Sequence, residues 1–276
     1  MEPETLRVAA VQLQSQDDVA QNLEECARQV GAAGREGAQL VVLPENFAYF
    51  GAEEGKRNVA EPLGDATHRA GAIQRALSEM ARNSELHLVA GGFPESSLDA
   101  ARPFNTALVY GPDGARVASY RKLHLFDVAL QDGTTLAESS STTPGDALVT
   151  FDIGAFRVGL SICYDLRFPE LYRGLVSRGA NVLLVPAAFT VHTGKDHWHP
   201  LLRARAIESQ CYVIAAAQWG KHPRGRTTYG HSLVIDPWGT IVAEASDRVS
   251  FVSATLDLEY LERVRAAVPC LDHRRL

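Results

Sequence analysis

Apolar and polar positions change period several times along the 276-residue chain, and those changes mark out its elements. Residues 6–13 form a nearly unbroken apolar run, which predicts a buried strand. From 17 to 35, Val19, Leu23, Cys26 and Val30 recur at helical spacing. Residues 39–45 read as a strand ending on Pro44-Glu45, 65–83 as a second helix and 87–93 as a strand. Between 105 and 122 the period shortens, and two strand-like runs, 106–110 and 115–120, flank the hairpin turn Gly111-Pro112-Asp113-Gly114. Residues 123–146 read as an irregular loop rich in Ser, Thr, Asp and Gly, long enough to be a lid or binding loop.

The second half continues in the same manner. Strands are expected at 147–151, 156–163 and 181–186, with a helix over 169–178. A helix over 198–210 and a buried strand over 211–218 follow, then a hairpin of 229–236 and 240–245 around Pro237-Trp238-Gly239. A strand at 249–256 leads into a terminal helix at about 259–268. Strand–helix alternation with interspersed hairpins predicts an α/β fold with mixed sheets whose outer faces are covered by helices. No Pro/Ser-rich linker and no repeat divides the chain, so a single domain spanning 1–276 is expected.

Charge narrows the range of partners. A formal net charge of −6 with scattered basic residues argues against a nucleic acid or an anionic membrane surface. The acidic start Met1-Glu2-Pro3-Glu4-Thr5 lacks the pattern of a secretion signal, and no apolar run approaches the ~20 residues of a membrane span. Four dispersed cysteines without a C-x-x-C pair point to free thiols in a reducing cytoplasm.

Three positions carry candidate chemistry. Glu45 closes the apolar run Leu40-Val41-Val42-Leu43-Pro44, and in α/β folds ligands bind beyond the carboxyl ends of strands. Desolvation by Phe47, Tyr49 and Phe50 would suit this carboxylate to act as a base. Lys122 follows a strand and precedes Leu123-His124-Leu125-Phe126, so a partly buried ammonium is expected, in need of an anionic partner. Cys163 ends the run Gly159-Leu160-Ser161-Ile162, where a strand passes into a turn and a helix. A thiol close to a helix N-terminus is biased towards the thiolate. Cys26, Cys211 and Cys270 read as structural. His192, His197 and His199 cluster without a common zinc spacing, so no metal site is expected there. A protease-like Cys–His pair with His124, His197 or His231 stays open, whereas the glycine patterns of nucleotide cofactors are missing.

Three blocks, Leu43-Pro44-Glu45, Tyr120-Arg121-Lys122-Leu123-His124-Leu125-Phe126 and Ile162-Cys163-Tyr164-Asp165-Leu166-Arg167-Phe168-Pro169-Glu170, together resemble the nitrilase superfamily of carbon–nitrogen hydrolases. The likeness covers nearly the whole chain. It implies a four-layer α-β-β-α sandwich with two mixed β-sheets, a Glu45–Lys122–Cys163 triad, no cofactor and a cytoplasmic amidase that forms a homodimer or larger homo-oligomer. It also implies a supporting glutamate at Glu138 and an oxyanion contact from the backbone N–H of Tyr164. The pieces Leu201-Leu202-Arg203-Ala204-Arg205-Ala206-Ile207-Glu208 and Tyr229-Gly230-His231-Ser232 are similar to the branch of deaminated-glutathione amidases, while Lys195-Asp196 departs from it. A small carboxylated amide is the substrate that branch implies. ω-Amidase or N-carbamoyl-amino-acid hydrolysis, true nitrilase activity and a non-catalytic binding role are the alternatives. Arg167 is the candidate carboxylate contact, with Tyr49, His124, Phe189 and Thr190 as further substrate contacts. The alternative reading of Arg167 is a purely structural ion pair with Asp165 or Glu170.

Overall fold

The computed structural model describes residues 4–64, 70–129 and 135–275. The first half contains β1 (Thr5–Gln12), α1 (Val19–Arg35), β2 (Leu40–Leu43), a single turn α2 (Glu53–Lys56), α3 (Ala72–Asn83), β3 (His87–Glu95), β4 (Phe104–Tyr110) and β5 (Arg116–Arg121). A short ribbon, β6 (Asp127–Ala129) paired with β7 (Thr135–Ala137), leads to the second half. There the order is β8 (Thr150–Ile153), β9 (Phe156–Leu160), α4 (Pro169–Ser177), β10 (Val182–Leu184), α5 (Val191–Ser209) and β11 (Tyr212–Ala215). The ribbon β12 (Trp219–Lys221) with β13 (Thr227–Tyr229) and the hairpin β14 (Leu233–Ile235) with β15 (Ile241–Glu244) follow. Finally β16 (Ser250–Asp257) returns to the first sheet before α6 (Leu258–Ala267).

Two six-stranded sheets result, ordered β16-β1-β2-β3-β4-β5 and β8-β9-β10-β11-β14-β15. Along both, successive pairings run antiparallel, parallel, parallel, antiparallel, antiparallel. The units β1-α1-β2-α3-β3 and β9-α4-β10-α5-β11 are thus built on one plan.

Strand periodicity explains the layering. Leu6, Val8 and Ala10 join a core that also holds the second sheet and Tyr172, Trp198 and Leu202 of α4 and α5. The alternate residues Ala9 and Val11 face the other way, onto Cys26, Val30, Ile73 and Leu77 of α1 and α3. Both faces of the first sheet are therefore covered, which is why β2 is apolar and buried at all four positions. The layers stack as α-β-β-α, the sandwich that the resemblance implied.

Two stretches depart from the sequence reading. Helix α5 begins at Val191 rather than 198, because Thr190 caps it by accepting from the Thr193 N–H at 3.4 Å. Pro200 lies inside it and omits one backbone hydrogen bond. The stretch 123–146, expected to be irregular, contains the β6–β7 ribbon and a 3₁₀ turn at Glu138–Ser140. The expected start of the second helix at 65 lies outside the described residues.

Candidate active site

The three sequence-predicted side chains meet where the two sheets face one another. Glu45 stands two residues past β2 and is 4% exposed. Its Oε1 accepts from Lys122 Nζ at 2.9 Å and from Asn105 Nδ2 at 2.9 Å. From the second half, Gln218 Nε2 donates to the Glu45 carbonyl at 3.0 Å and to Ser15 Oγ at 2.8 Å, holding the backbone of the carboxylate segment. Two glycines make room for this crossing. A Cβ at Gly91 would lie 2.0 Å from Pro186, and one at Gly92, with φ of +74°, would lie 2.6 Å from Asn105 Oδ1.

Lys122 follows β5 directly and is 2% exposed. Besides Glu45, its ammonium reaches both oxygens of Glu138, at 3.1 and 2.9 Å. Glu138 is anchored in turn, accepting from the Phe126 N–H at 2.7 Å and from Asn105 Nδ2 at 3.2 Å. Asn105 therefore ties the two carboxylates together from β4. Sequence reasoning passed over it, since one amide near the start of an apolar strand carries no local signal.

Cys163 lies three residues past the end of β9 and adopts φ of +49°. A non-glycine residue in that region carries roughly 1–3 kcal/mol of strain, the mark of a tight elbow that presents a nucleophile. Its N–H donates to Pro186 O at 2.9 Å. The turn is held by Asp165, which is fully buried and accepts from the Ile162 N–H at 2.9 Å and the Tyr120 hydroxyl at 2.6 Å. The His124 N–H, at 3.0 Å, and His124 Nδ1, at 2.7 Å, complete its shell. Asp165 thus locks the Cys163 elbow to the strand that carries Lys122. Its place inside the Cys163 block was visible; its partners, more than 40 residues away, were not.

The remaining candidates divide by position. Arg167 makes no ion pair with Asp165 or Glu170. Its guanidinium lies 5.9 Å from the Tyr164 ring and 5.3 Å from the Phe189 ring, with Nη1 3.3 Å from His197 Nδ1. Tyr164 and Phe189 so form an aromatic seat for a cation four residues beyond the thiol. His124 stacks on Phe168 at 3.6 Å while its Nδ1 meets Asp165, so it braces the elbow. Thr190 caps α5, and Tyr49 donates from its hydroxyl to Ala52 O at 3.3 Å. Beyond them, Glu53 binds Lys56 and Arg226, each at 2.7 Å, and so joins α2 to the loop before β13.

Electrostatics set the resting protonation. Burial and the Glu45 carboxylate push the Cys163 thiol well up, with Lys122 and the Ala188 N–H offsetting this only in part. The resting group is a neutral thiol, which corrects the expectation of a thiolate favoured by a helix dipole. Helix α4 starts only at Pro169, after a 3₁₀ turn over Cys163–Arg167, so no long dipole points at the sulfur. Burial disfavours the Lys122 charge, yet Glu138 and Glu45 outweigh it and hold the ammonium well above its ordinary range. Burial likewise opposes charge on Glu138, but Lys122 and Lys56 keep it a carboxylate.

A neutral thiol, a carboxylate and an ammonium in one dry junction can attack a carbonyl and stabilise the developing oxyanion. The chain's relatives bear on which carbonyl. The family described as carbon-nitrogen hydrolase matches residues 7–266. A curated Synechocystis protein named deaminated glutathione amidase is 46% identical over 269 residues, covering 96% of this chain and 97% of that protein. The crystal structure of Saccharomyces cerevisiae Nit3, a member of branch 10 of the nitrilase superfamily, superposes with a TM-score of 0.88 at 33% identity, covering 100% of this chain and 98% of that one. An amidase mutant from Nesterenkonia sp. AN1, with acrylamide added at its active-site cysteine, has a TM-score of 0.78 at 26% identity, covering 96% and 98%. The chain belongs to the carbon–nitrogen hydrolase family and is a hydrolytic enzyme acting on amides.

Proposed function

We propose that the enzyme cleaves deaminated glutathione through a thioester on Cys163, with Glu45 as proton carrier and Lys122 as electrostatic catalyst. One observation carries the reading: the buried Glu45–Lys122–Glu138 network stands against a thiol held neutral on a strained elbow. The activity named for the Synechocystis relative supports the choice of substrate.

As the amide carbon approaches, Glu45 takes the thiol proton and the sulfur attacks. Once protonated, Glu45 is a poorer acceptor, which frees an N–H of Lys122 for the oxyanion. The backbone N–H of Tyr164 is the second donor, and one such donor contributes about 10²–10³ in rate. Collapse of the tetrahedral species breaks the C–N bond, and Glu45 protonates the leaving amine, here cysteinylglycine. Water activated by Glu45 then cleaves the thioester, releasing the acid and restoring the thiol. Glu138 keeps Lys122 aimed throughout. Arg167, seated on Tyr164 and Phe189, meets a substrate carboxylate, and Tyr49 and Thr190 are assigned as further substrate contacts.

The chain acts as one catalytic domain over 1–276 and works as a homodimer in the cytoplasm. Exposed Ile207 and Trp238, side chains that water would otherwise wet, favour the dimer, and a free Cys163 suits a reducing compartment. The test is a panel of deaminated glutathione, 2-oxoglutaramate and an N-carbamoyl amino acid, following cysteinylglycine and ammonia separately. The highest kcat/KM is expected for deaminated glutathione, with Arg167→Gln raising its KM about tenfold or more. Preference for an ammonia-releasing substrate, or an unmoved KM, contradicts the assignment.

A further inference from the structure

Away from this site, α5, the turn after β13 and β15 bring His199, His231 and Glu244 together. His199 Nε2 lies 2.8 Å and His231 Nδ1 2.7 Å from the same oxygen, Glu244 Oε1. All three ligand atoms fall within 4.8 Å of one another. Two imidazoles and one carboxylate form a common zinc donor set, with a fourth position open to water. Metal–ligand distances near 2.0–2.1 Å at tetrahedral angles place ligand atoms about 3.3 Å apart. The two imidazole–carboxylate separations, 2.8 and 2.7 Å, have to open by only about half an ångström to reach that geometry.

The surroundings favour a cation. His231 Nε2, the nitrogen facing away from Glu244, lies 3.7 Å from Asp247 Oδ1, the outer carboxylate that orients a metal-binding imidazole. The Tyr229 ring stacks on His231 with centroids 4.4 Å apart, fixing the plane of that imidazole beside Glu244. The three side chains are 27%, 28% and 32% exposed, open enough for an aqueous ion to enter. The His192–His197–His199 run contributes one member only, since His197 turns to Arg167.

We propose that His199, His231 and Glu244 bind one divalent ion of the zinc class, clamping α5 to the β14–β15 hairpin. The position is structural. Trp198, beside His199, packs on Phe189 at 5.0 Å and donates to His231 O at 2.9 Å, so the clamp stiffens the wall behind Phe189.

Zinc chloride titrated calorimetrically into chelator-treated, full-length protein tests this, with cobalt(II) absorption reporting tetrahedral N/O ligation. One ion per chain is expected, retained in Cys163→Ala and weakened at least ~10-fold in His199→Asn and Glu244→Gln. Glu244→Gln keeps an oxygen for both imidazoles, and circular dichroism verifies its fold. Zinc raises the melting temperature of the wild type and not of these variants. Failure to bind, binding indifferent to both variants, or binding lost in Cys163→Ala overturns the proposal.

Discussion

The two halves of the sandwich repeat one strand plan but carry different chemistry at equivalent ends. In the first sheet β2 leads to Glu45 and β5 to Lys122; in the second, β9 leads to Cys163. The counterpart of β2, β10, runs instead into Val185-Pro186-Ala187-Ala188, with no ionisable group. Charges thus come from one sheet and the thiol from the other. Apolar packing between sheets is non-directional and cannot by itself fix their register to a fraction of an ångström. The polar seam does so: Asp165 of the second half accepts from Tyr120 and His124 of the first, and Gln218 grips the Glu45 carbonyl. Cys211, at the start of β11, makes the complementary point. Burial pushes its thiol up to about 12, as burial also raises Cys163, but among the described residues no carboxylate stands ready to take the proton.

The sharpest way to break the charged half is Lys122→Met. It strands two buried carboxylates, and a loss of about 3–5 kcal/mol should appear as a lower melting temperature. Activity should fall at least ~10³-fold. Adding Glu138→Gln should return part of the stability and none of the activity. Next comes the seam: Asp165→Asn turns an NH₂ towards donors. It should cost about 1–3 kcal/mol and lower kcat about 10–100-fold with little change in KM. A raised thiol pKa means that the thiolate fraction grows only as pH climbs through and beyond the ordinary 9.0. Iodoacetamide labelling of Cys163 in the free enzyme should keep rising there; a plateau near neutrality would contradict the neutral resting thiol.

The smallest effect concerns the rim. Glu53 is desolvated, which alone would raise it, but Lys56 and Arg226 hold its carboxyl down to about 2. Its contribution is present above the ordinary carboxylate range and is lost as pH falls from about 4.5 towards 2. Glu53→Gln should flatten the acid side of the melting-temperature profile by that share.

Glu45 and Cys163 were legible in sequence because each ends an apolar run, and Lys122 because it closes a strand just before an apolar stretch; chemistry at strand ends leaves a local mark. The α/β class with mixed sheets and covering helices was legible in the strand and helix periodicities, whereas the four-layer sandwich came from the family resemblance. Asn105, Asp165 and Gln218 were not, because each acts through partners distant in sequence and looks locally like an ordinary strand or turn residue. The early start of α5 stayed hidden behind Pro200, and the β6–β7 ribbon behind a polar composition. His199, His231 and Glu244 meet only through tertiary structure, so no spacing rule reaches them.

The central claim is that the second sheet's thiol carries the acyl group while the first sheet's charges move the proton. Acid quench during turnover of deaminated glutathione, followed by peptide mass spectrometry, tests it most directly. The account predicts the substrate's acyl group on the Cys163 peptide, absent in Cys163→Ala, which should lose activity by at least ~10⁴. Turnover without any adduct on Cys163, or continuing in Cys163→Ala, would contradict it.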